Sequence, residues 1–249
     1  MRRRLVDEPG DLCTAWEARA QDLIAWFRKP GHDSYWRYHR DQFLELLPPP
    51  GRLTLDIGCG EGRLSRDLKA LGHTVVALDG SPTLVAAAQE ADPSIETVLG
   101  DAAQLPFPGG SADLAVFFMS LQDIEDTSGA LAEAARVLEP GGRLCLAIVH
   151  PLNSAGEFAE EGDADSPFVI RGTYLGRFRF ADELELGGLA MTFESEHRPI
   201  GWYFDALASA GFLVERLRET DIPEQAMRAP QNARRQRIPL FLHVRALRP

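Results

Sequence analysis

The segment LTLDIGCGEG at residues 53–62 decides the fold. It opens with a short apolar run typical of a buried strand and continues into glycines at positions 58, 60 and 62. Glycine reaches positive φ without steric cost and lets the backbone approach a ligand closely. A helix over residues 62–71, closed by Gly72, is predicted to follow. A strand, a glycine turn and a helix in this order are typical of a site for a nucleotide-type cofactor.

The same alternation continues along the chain. Further strands are predicted at 74–79, 95–99, 112–119 and 143–149, and helices at 81–90 and 127–138, with a turn at 139–142. Continuous apolar strands that alternate with helices indicate a parallel sheet covered on both faces. Ligands of such sheets bind beyond the carboxyl ends of the strands, so functional residues are expected there.

Regions outside this core complete a four-part division. Helices predicted at 11–28 and 33–47 make residues 1–50 a helical cover, and residues 51–150 are the cofactor-binding core. Residues 151–198 break the alternation, and a segment of that length indicates a lid or substrate-binding insertion. In residues 199–249, a helix at 199–210 and strands near 212–219 and 239–247 are predicted to close the core.

Composition narrows the choice of partners. The formal net charge of the 249 residues is -11, which argues against nucleic acid as a substrate because phosphate binding needs a basic face. No apolar run approaches the roughly 20 residues that span a bilayer, so no membrane partner is expected. Three scattered cysteines and no secretory signal fit a reducing compartment, and a cytoplasmic location is predicted.

Two carboxylates follow the next strands. Asp79 ends the second strand, where it can accept both ribose hydroxyls of a nucleoside, although it also fits a helix N-cap ahead of Ser81. Asp101 follows the third strand and can accept from an adenine amino group, while the backbone N–H of Ala102 can reach a ring nitrogen. An aspartate in that position is often only a turn former.

A dinucleotide site is the nearest rival. The glycine pattern is GxGxG, and Arg63 stands where a dinucleotide fingerprint has its third glycine. Glu61 would also repel a diphosphate at the helix N-terminus. These two residues speak against a nicotinamide-dependent oxidoreductase.

Residues 53–149 resemble the class I S-adenosylmethionine-dependent methyltransferases, in the branch of quinone-biosynthesis and other small-molecule enzymes. The matching pieces are LDIGCGEGRLS, VVALDGSP, VLGDAAQLPFPGGSADLAVFFMSLQDIED and ALAEAARVLEPGGRLCLAIVHP. The resemblance implies an α/β, Rossmann-like, doubly wound fold. Its sheet would have seven mostly parallel strands, with the last two forming an antiparallel hairpin at one edge.

The resemblance also implies a cofactor site for S-adenosylmethionine, which leaves as S-adenosylhomocysteine. Asp56, Gly58 and Gly60 would hold the methionine end, Asp79 the ribose, and Asp101 with Ala102 the adenine. Met119 and Ser120 would pass beneath the sulfonium. The remaining cofactor-binding candidates are neighbours of these residues, namely Cys59 and Gly80.

Methyl transfer from a sulfonium is an in-line displacement, and a general base is needed only if the acceptor carries a proton. His150, after the fifth strand, and His197, before the closing helix, are the candidates, although each fits a structural role equally well. The acidic cluster Asp123, Glu125 and Asp126 is interpreted as charge at a helix N-terminus rather than a metal site. Arginines that could attract an anionic substrate lie between the last two strands, at 228, 234, 235 and 237.

The sequence therefore predicts methyl transfer to oxygen, nitrogen or carbon of a small molecule, without a metal. Two alternatives stay open: a nicotinamide-dependent oxidoreductase and a non-catalytic nucleoside-binding protein of the same fold. The sequence gives no indication of the acceptor or of the oligomeric state.

Overall fold

The computed structural model describes residues 2–6, 10–32, 34–160, 163, 165–170, 172–222 and 236–249. Its α-helices are α1 Leu12–Ala18, α2 Ala20–Arg28, α3 Arg40–Leu44, α4 Arg63–Ala70, α5 Pro82–Ala91, α6 Thr127–Val137, α7 Pro151–Ser154 and α8 Ile200–Ser209. A π-helical turn, Tyr35–His39, precedes α3, and a 3₁₀ turn, Leu121–Asp123, precedes α6. The strands are β1 Arg2–Leu5, β2 Thr54–Ile57, β3 Val75–Asp79, β4 Glu96–Leu99, β5 Ala112–Phe118, β6 Leu138–Val149, β7 Gly156–Phe158, β8 Phe168–Ile170, β9 Phe178–Leu186, β10 Leu189–His197, β11 Leu213–Glu219 and β12 Phe241–Leu247.

The main sheet has seven strands in the order β11-β12-β6-β5-β2-β3-β4. Strands β6, β5, β2, β3 and β4 run parallel, while β12 pairs antiparallel with both β6 and β11. The fold predicted from the sequence, with its antiparallel last hairpin, is confirmed.

Neighbouring residues of the central strands face opposite sides of the sheet. Phe117 packs with the cluster that includes α6 and α8, and Phe118 packs with the cluster on the other face, beside Phe43 and α4. This alternation, together with the complete burial of β2, explains why the central strands are mostly apolar on both faces.

Local capping sets the helix starts at the ligand-binding edge. Gly62 begins α4 from a left-handed conformation at φ 80°. The Ser81 hydroxyl accepts from Leu84 N at the start of α5, with Pro82 in the first turn. The Asp126 carboxylate accepts from Gly129 N at the start of α6.

A second sheet has the order β1-β9-β10 and lies outside the core. β9 and β10 form a hairpin whose two-residue turn is Gly187-Gly188, with φ of 55° and 80°. We refer to residues 178–197 as the roof hairpin. This hairpin was not predicted from the sequence, although two alternating runs joined by Gly-Gly are a hairpin pattern.

Four parts of the observed secondary structure differ from what the sequence predicted. The first helix is divided at Arg19, and the second is replaced by the π-helical turn and a short α3. The predicted turn at 139–142 is wrong, because β6 already begins at Leu138, with a register shift against β5. Residues 151–198, predicted to be an insertion, contain β7, β8 and the roof hairpin. Residue 33, where the second helix was predicted to begin, lies outside the described residues.

Among the described residues, no helix is long and apolar enough to cross a membrane.

Candidate functional site

A cavity of about 700 Å³ opens at the carboxyl ends of β2, β3, β4 and β5. Its floor consists of the loops that follow these strands, and its upper wall is formed by α1, α2 and the roof hairpin. All ten cofactor-binding residues predicted from the sequence line it, namely Asp56, Gly58, Cys59, Gly60, Asp79, Gly80, Asp101, Ala102, Met119 and Ser120.

The glycine loop after β2 is folded tightly against β3. The amides of Gly58 and Cys59 both donate to Leu78 O, at 2.7 and 3.0 Å. Gly58 has φ 75°, and a Cβ there would lie 2.3 Å from Ser120 Cβ. At Gly60, with φ 58°, a Cβ would meet nothing within 4 Å. Gly58 is therefore required by packing, whereas Gly60 leaves its side open for a ligand.

Asp56 carries a buried oxygen without a hydrogen-bond partner. Its Oδ2 accepts from Ser65 Oγ at 2.5 Å, while no described residue donates to Oδ1. Burial raises the pKa of the Asp56 carboxyl to about 6. A cationic ligand group beside Oδ1 would satisfy the oxygen and favour the ionised form. The ammonium of a methionine moiety fits this requirement.

Asp79 ends β3 with both oxygens anchored by backbone amides. Oδ2 accepts from Gly60 N at 2.8 Å, and Oδ1 accepts from Ser81 N at 2.9 Å. Burial raises the pKa of this carboxyl above its ordinary value. Ser81 rather than Asp79 caps α5, so the N-cap alternative does not hold. Each carboxylate oxygen can accept a second hydrogen bond, and two ligand hydroxyls would therefore fit here.

The outer end of the cavity lies between Gly80 and Asp101. Helix α1 covers it, because Cys13 Sγ is 3.5 Å from Gly80 O and the Thr83 hydroxyl donates to Glu17 Oε1 at 2.6 Å. Asp101 Oδ1 accepts from Ala103 N at 2.8 Å, which leaves its second oxygen for a ligand.

The loop after β5 carries backbone strain. Among the described residues, Met119 alone combines a side chain with a positive φ, at 57°. Its amide donates to Ala147 O at 2.8 Å, and the next residue, Ser120, donates through Oγ to Ile57 O at 2.7 Å. Such strain costs about 1–3 kcal/mol and is found where surrounding structure fixes a functional segment.

Neither predicted catalytic histidine lines the cavity. His150 Nε2 lies 2.9 Å from Glu219 Oε1, and its Nδ1 accepts from Leu152 N at 3.0 Å, capping α7. His197 contacts Ser154 Oγ through Nδ1 at 2.7 Å and Tyr174 O through Nε2 at 2.9 Å. Burial lowers the pKa of both imidazoles. The structure does not bring these histidines to the predicted cofactor residues.

Asp123 is a cavity residue that the sequence analysis did not identify as such. All three residues of the acidic cluster line the cavity, but Asp126 also caps α6 and Glu125 also pairs with Arg179. Asp123 Oδ1 accepts from Ser195 Oγ at 2.6 Å. Of the three acids predicted to supply helix N-terminal charge, Asp126 is the one that caps α6.

The upper wall of the cavity is largely aromatic and aliphatic. Its apolar members come from α1, α2 and the roof hairpin, namely Trp16, Leu23, Trp26, Phe27, Phe180, Leu184 and Phe193. Arg3 fixes one end through a two-pronged pair with Asp182, at 2.7 Å for each bond. No sequence signal foretold this pairing, because its partners are 179 positions apart.

Of the arginines near the last hairpin, Arg237 donates to Ser166 O at 2.8 Å. Arg228, Arg234 and Arg235 lie outside the described residues.

Comparisons with known proteins agree with this geometry. Residues 55–146 match the family described as "Methyltransferase domain". A demethylmenaquinone methyltransferase of Beutenbergia cavernae is 35% identical over 148 residues, which cover 59% of this chain and 61% of that protein. A malonyl-[acyl-carrier protein] O-methyltransferase of Serratia marcescens is 36% identical over 115 residues, covering 46% and 44%.

A solved structure extends the similarity over most of the chain. The S-adenosylmethionine-dependent methyltransferase from Mesorhizobium loti superposes with a TM-score of 0.70 at 26% identity, covering 87% of this chain and 98% of that one. Residues 55–146 carry a methyltransferase domain of the class I, S-adenosylmethionine-dependent type, and S-adenosylmethionine is the cofactor that this domain and this cavity indicate. The matched region spans 61% of the first curated relative, so similarity of sequence does not extend to that whole protein.

Proposed function

We propose that the protein transfers the methyl group of S-adenosylmethionine to oxygen, nitrogen or carbon of a small-molecule acceptor by in-line displacement. The unpartnered Oδ1 of Asp56, buried beside the open glycine loop, is the observation that carries the proposal. It is an acceptor placed for a cationic ligand group, and an amino-acid-linked nucleoside supplies one.

In this proposal the cavity residues divide by the part of the cofactor they hold. Asp56 takes the ammonium, while the loop from Gly58 through Cys59 to Gly60 follows the methionine chain. Asp79, next to Gly80, takes the ribose hydroxyls. Asp101 and the Ala102 amide bind the adenine, and Met119 and Ser120 lie beneath the sulfonium. The distances given above support these roles because each group has an acceptor or an open side facing the cavity.

The chain's contribution to the displacement is alignment and exclusion of water. The leaving group of a sulfonium is already activated, so orientation supplies much of the rate. The aromatic upper wall supports this role, since it covers the cavity from the side opposite the strands.

The acceptor is proposed to be flat and largely apolar. The apolar wall contributed by Phe180, Leu184 and Phe193 belongs to residues 151–198, which we propose as the acceptor-binding insertion. The other parts are proposed as a cover at 1–50, the cofactor core at 51–150 and the closing elements at 199–249. Relatives named for demethylmenaquinone support a flat acceptor, although the relative named for malonyl-[acyl-carrier protein] has a different one.

The two alternatives are less well supported. Arg66 donates through Nη2 to both carboxylate oxygens of Glu61, at 2.9 and 3.0 Å, so the charge of Glu61 alone is a weak argument against a diphosphate. The stronger arguments are Arg63 in place of the third glycine and the family match. A non-catalytic nucleoside-binding protein would not need a second, apolar compartment beside the cofactor residues.

Calorimetric titration of the purified protein with S-adenosylhomocysteine tests the cofactor, with NADH as the parallel ligand. Micromolar binding of the first ligand and none of the second is expected. Transfer of tritium from S-adenosyl-[methyl-³H]methionine to a small-molecule fraction then tests turnover. Binding of NADH alone would contradict the cofactor assignment, and binding without transfer to any fraction would favour the non-catalytic alternative.

Location and further partners complete the proposal. A cytoplasmic protein that does not act on nucleic acid is favoured by the net charge of -11 and by the scattered cysteines. A filter-binding assay with labelled RNA and DNA at physiological salt checks the second point.

A further inference from the structure

We infer that Asp123 receives the proton of the acceptor and forms the counter-charge of the sulfonium during transfer. The inference rests on the proposed function and assigns the proton acceptor to a residue other than either histidine. It also specifies the acceptor as an uncharged molecule whose reacting group is a hydroxyl on a flat apolar body.

Asp123 lies between the loop after β5 and the roof hairpin, both of which line the cavity. It ends the 3₁₀ turn that follows Met119 and Ser120, and it lines the same cavity as they do. On its other side, Ser195 of the roof hairpin binds it, and Phe193, two residues earlier, belongs to the apolar wall. A carboxyl group in this position lies beside both the proposed cofactor site and the proposed acceptor site.

Neighbouring side chains hold the carboxyl group but leave it capacity to accept. Ser195 Oγ donates to Oδ1 at 2.6 Å, and Gln122 Nε2 donates to Oδ2 at 3.1 Å. Gln122 Nε2 also donates to Met119 O at 2.7 Å, which links the carboxyl group to the strained residue. Each oxygen of a carboxylate has two acceptor positions, so both can still face a ligand.

The charged and titratable groups around Asp123 are largely engaged elsewhere. Arg198 is fully buried and attracts Asp123, but its guanidinium donates to Glu196 Oε2 at 2.5 Å and to Ile124 O at 3.2 Å. Tyr203 of α8 is buried nearby, and Glu125 is paired with Arg179 of β9. Among the described residues, no salt bridge to Asp123 is formed, so a ligand cation has a carboxyl partner available.

The proposed step conserves atoms and charge. The acceptor oxygen forms a bond to the methyl carbon while the carbon–sulfur bond breaks and its electron pair stays on sulfur. The hydroxyl proton passes to the Asp123 carboxylate. One positive and one negative charge disappear together, which is favourable in a cavity of low dielectric because no isolated charge remains. A hydroxyl acceptor is uncharged before and after the step, which fits the apolar upper wall of the cavity.

Burial supports this role by making the carboxyl sensitive to a nearby cation. It raises the pKa of Asp123 to about 8, so the group is mostly protonated at neutral pH without a ligand. A positive charge close by favours the carboxylate and lowers the pKa. Binding of the sulfonium cofactor should therefore release a proton that binding of the neutral product does not release.

This difference is measurable without knowing the acceptor. S-Adenosylmethionine and S-adenosylhomocysteine are titrated calorimetrically at pH 7 in phosphate and in Tris, whose ionisation enthalpies differ, and the proton release of each ligand is obtained. Both ligands carry the same amino-acid and adenosine groups, so contributions from Asp56 and Asp79 cancel. We expect the binding of S-adenosylmethionine to release at least about half a proton more than the binding of S-adenosylhomocysteine.

Two variants and one control test whether Asp123 is the group that releases the proton. Asp123→Asn should abolish the difference while both ligands still bind, and the exposed Asp205→Asn on α8 should keep it. Ser195→Ala removes a hydrogen bond that favours the carboxylate, and the pH at which the difference is half complete should therefore rise. This variant also serves if Asp123→Asn does not fold.

The outcomes separate the two proposals. Equal proton release by both ligands in the unsubstituted protein, or a difference that persists in Asp123→Asn, would overturn the role of Asp123 and leave the proposed function intact. Failure of both ligands to bind would overturn the proposed function, and the inference with it.

Discussion

Asp79 at the end of β3 accepts a hydrogen bond from the amide of Gly60, with 2.8 Å between Oδ2 and N. One carboxylate thus joins the end of one strand to the glycine loop that follows its neighbour, β2. The loop is held at two points, since Leu78 O also accepts from the amides of Gly58 and Cys59. The proposed ribose ligand is therefore also part of the support of the proposed methionine site.

This double role predicts a graded response to substitution of Asp79. Asp79→Asn keeps the size of the side chain but replaces a charged acceptor, and we expect S-adenosylhomocysteine affinity to fall at least about tenfold, since a hydrogen bond to a charged group contributes about 1.5–3 kcal/mol. Asp79→Ala should lose more, because the Gly60 and Ser81 amides also lose their partner. Calorimetry of both variants beside Asp205→Asn provides the measurement. Unchanged affinity in Asp79→Ala would refute the placement of the ribose.

Gly58 and Gly60 should respond differently to substitution by alanine. Both have positive φ, which costs a residue with a side chain about 1–2 kcal/mol. At Gly58 the added Cβ also collides with Ser120, and overpacking adds about 1–3 kcal/mol. Gly58→Ala should therefore lower the free energy of unfolding in urea more than Gly60→Ala. Gly60→Ala should instead lose cofactor affinity, because its methyl group enters the open side of the loop. Equal losses of stability would show that packing against Ser120 is unimportant.

The core was predictable because its signals are local in the sequence. The buried strands are mostly apolar runs, and some helix starts have their own marker, such as Ser81-Pro82 before α5. Ligand residues of a parallel sheet follow the strand ends, so correct strands bring Asp56, Asp79 and Asp101 to one cavity. The turn at 139–142 was misplaced because Pro and Gly, which usually interrupt a strand, here accompany a register shift within β6.

The upper wall was not predictable in the same way. Arg3 with Asp182, and Asp123 with Ser195, are partners separated by 179 and 72 positions, and no local pattern encodes such pairs. The roof hairpin could have been found from its Gly187-Gly188 turn. Its position over the cavity depends on tertiary packing, for example of Trp26 against Phe193 at 6.2 Å between ring centroids. The role of a carboxyl such as Asp123 follows from that packing alone.

His150 provides a test of the catalytic role predicted from the sequence. Because both ring nitrogens are engaged, at Glu219 and at Leu152 N, we expect His150→Ala to lower the free energy of unfolding by about 1–3 kcal/mol. Affinity for S-adenosylhomocysteine should stay within about threefold, since the ring does not line the cavity. Urea unfolding and calorimetry check the two values. A selective loss of methyl transfer in a stable variant would instead support His150 as the base.

The buried imidazoles of His39 and His243 are expected to lower the free energy of unfolding in mild acid. Their rings stack with 5.7 Å between centroids, and no described residue forms a hydrogen bond with any of their four ring nitrogens. Burial lowers the pKa of His243 to about 3 from an ordinary value of 6.5, and burial beside His243 lowers the pKa of His39 as well.

The unfolded chain therefore binds protons that the folded chain refuses as the pH falls below 6.5. Each histidine should then reduce the free energy of unfolding by up to about 1.4 kcal/mol per pH unit. The stability of the fold with neutral imidazoles is therefore fully present above pH 6.5 and is lost progressively toward pH 3. The raised pKa values of Asp56, Asp79 and Asp123 act in the opposite direction, since these folded carboxyl groups retain protons that the unfolded chain has released.

Differences between variants separate the two effects. His39→Phe and His243→Leu each remove one histidine, so the slope of unfolding free energy against pH between 6.5 and 5 should become less positive in each. The three aspartates contribute equally to both variants and to the unsubstituted protein. Urea unfolding at several pH values, repeated at high salt, gives these slopes, and the effect should persist in salt because buried groups are weakly screened. Slopes equal to that of the unsubstituted protein would show that the two imidazoles become protonated without unfolding.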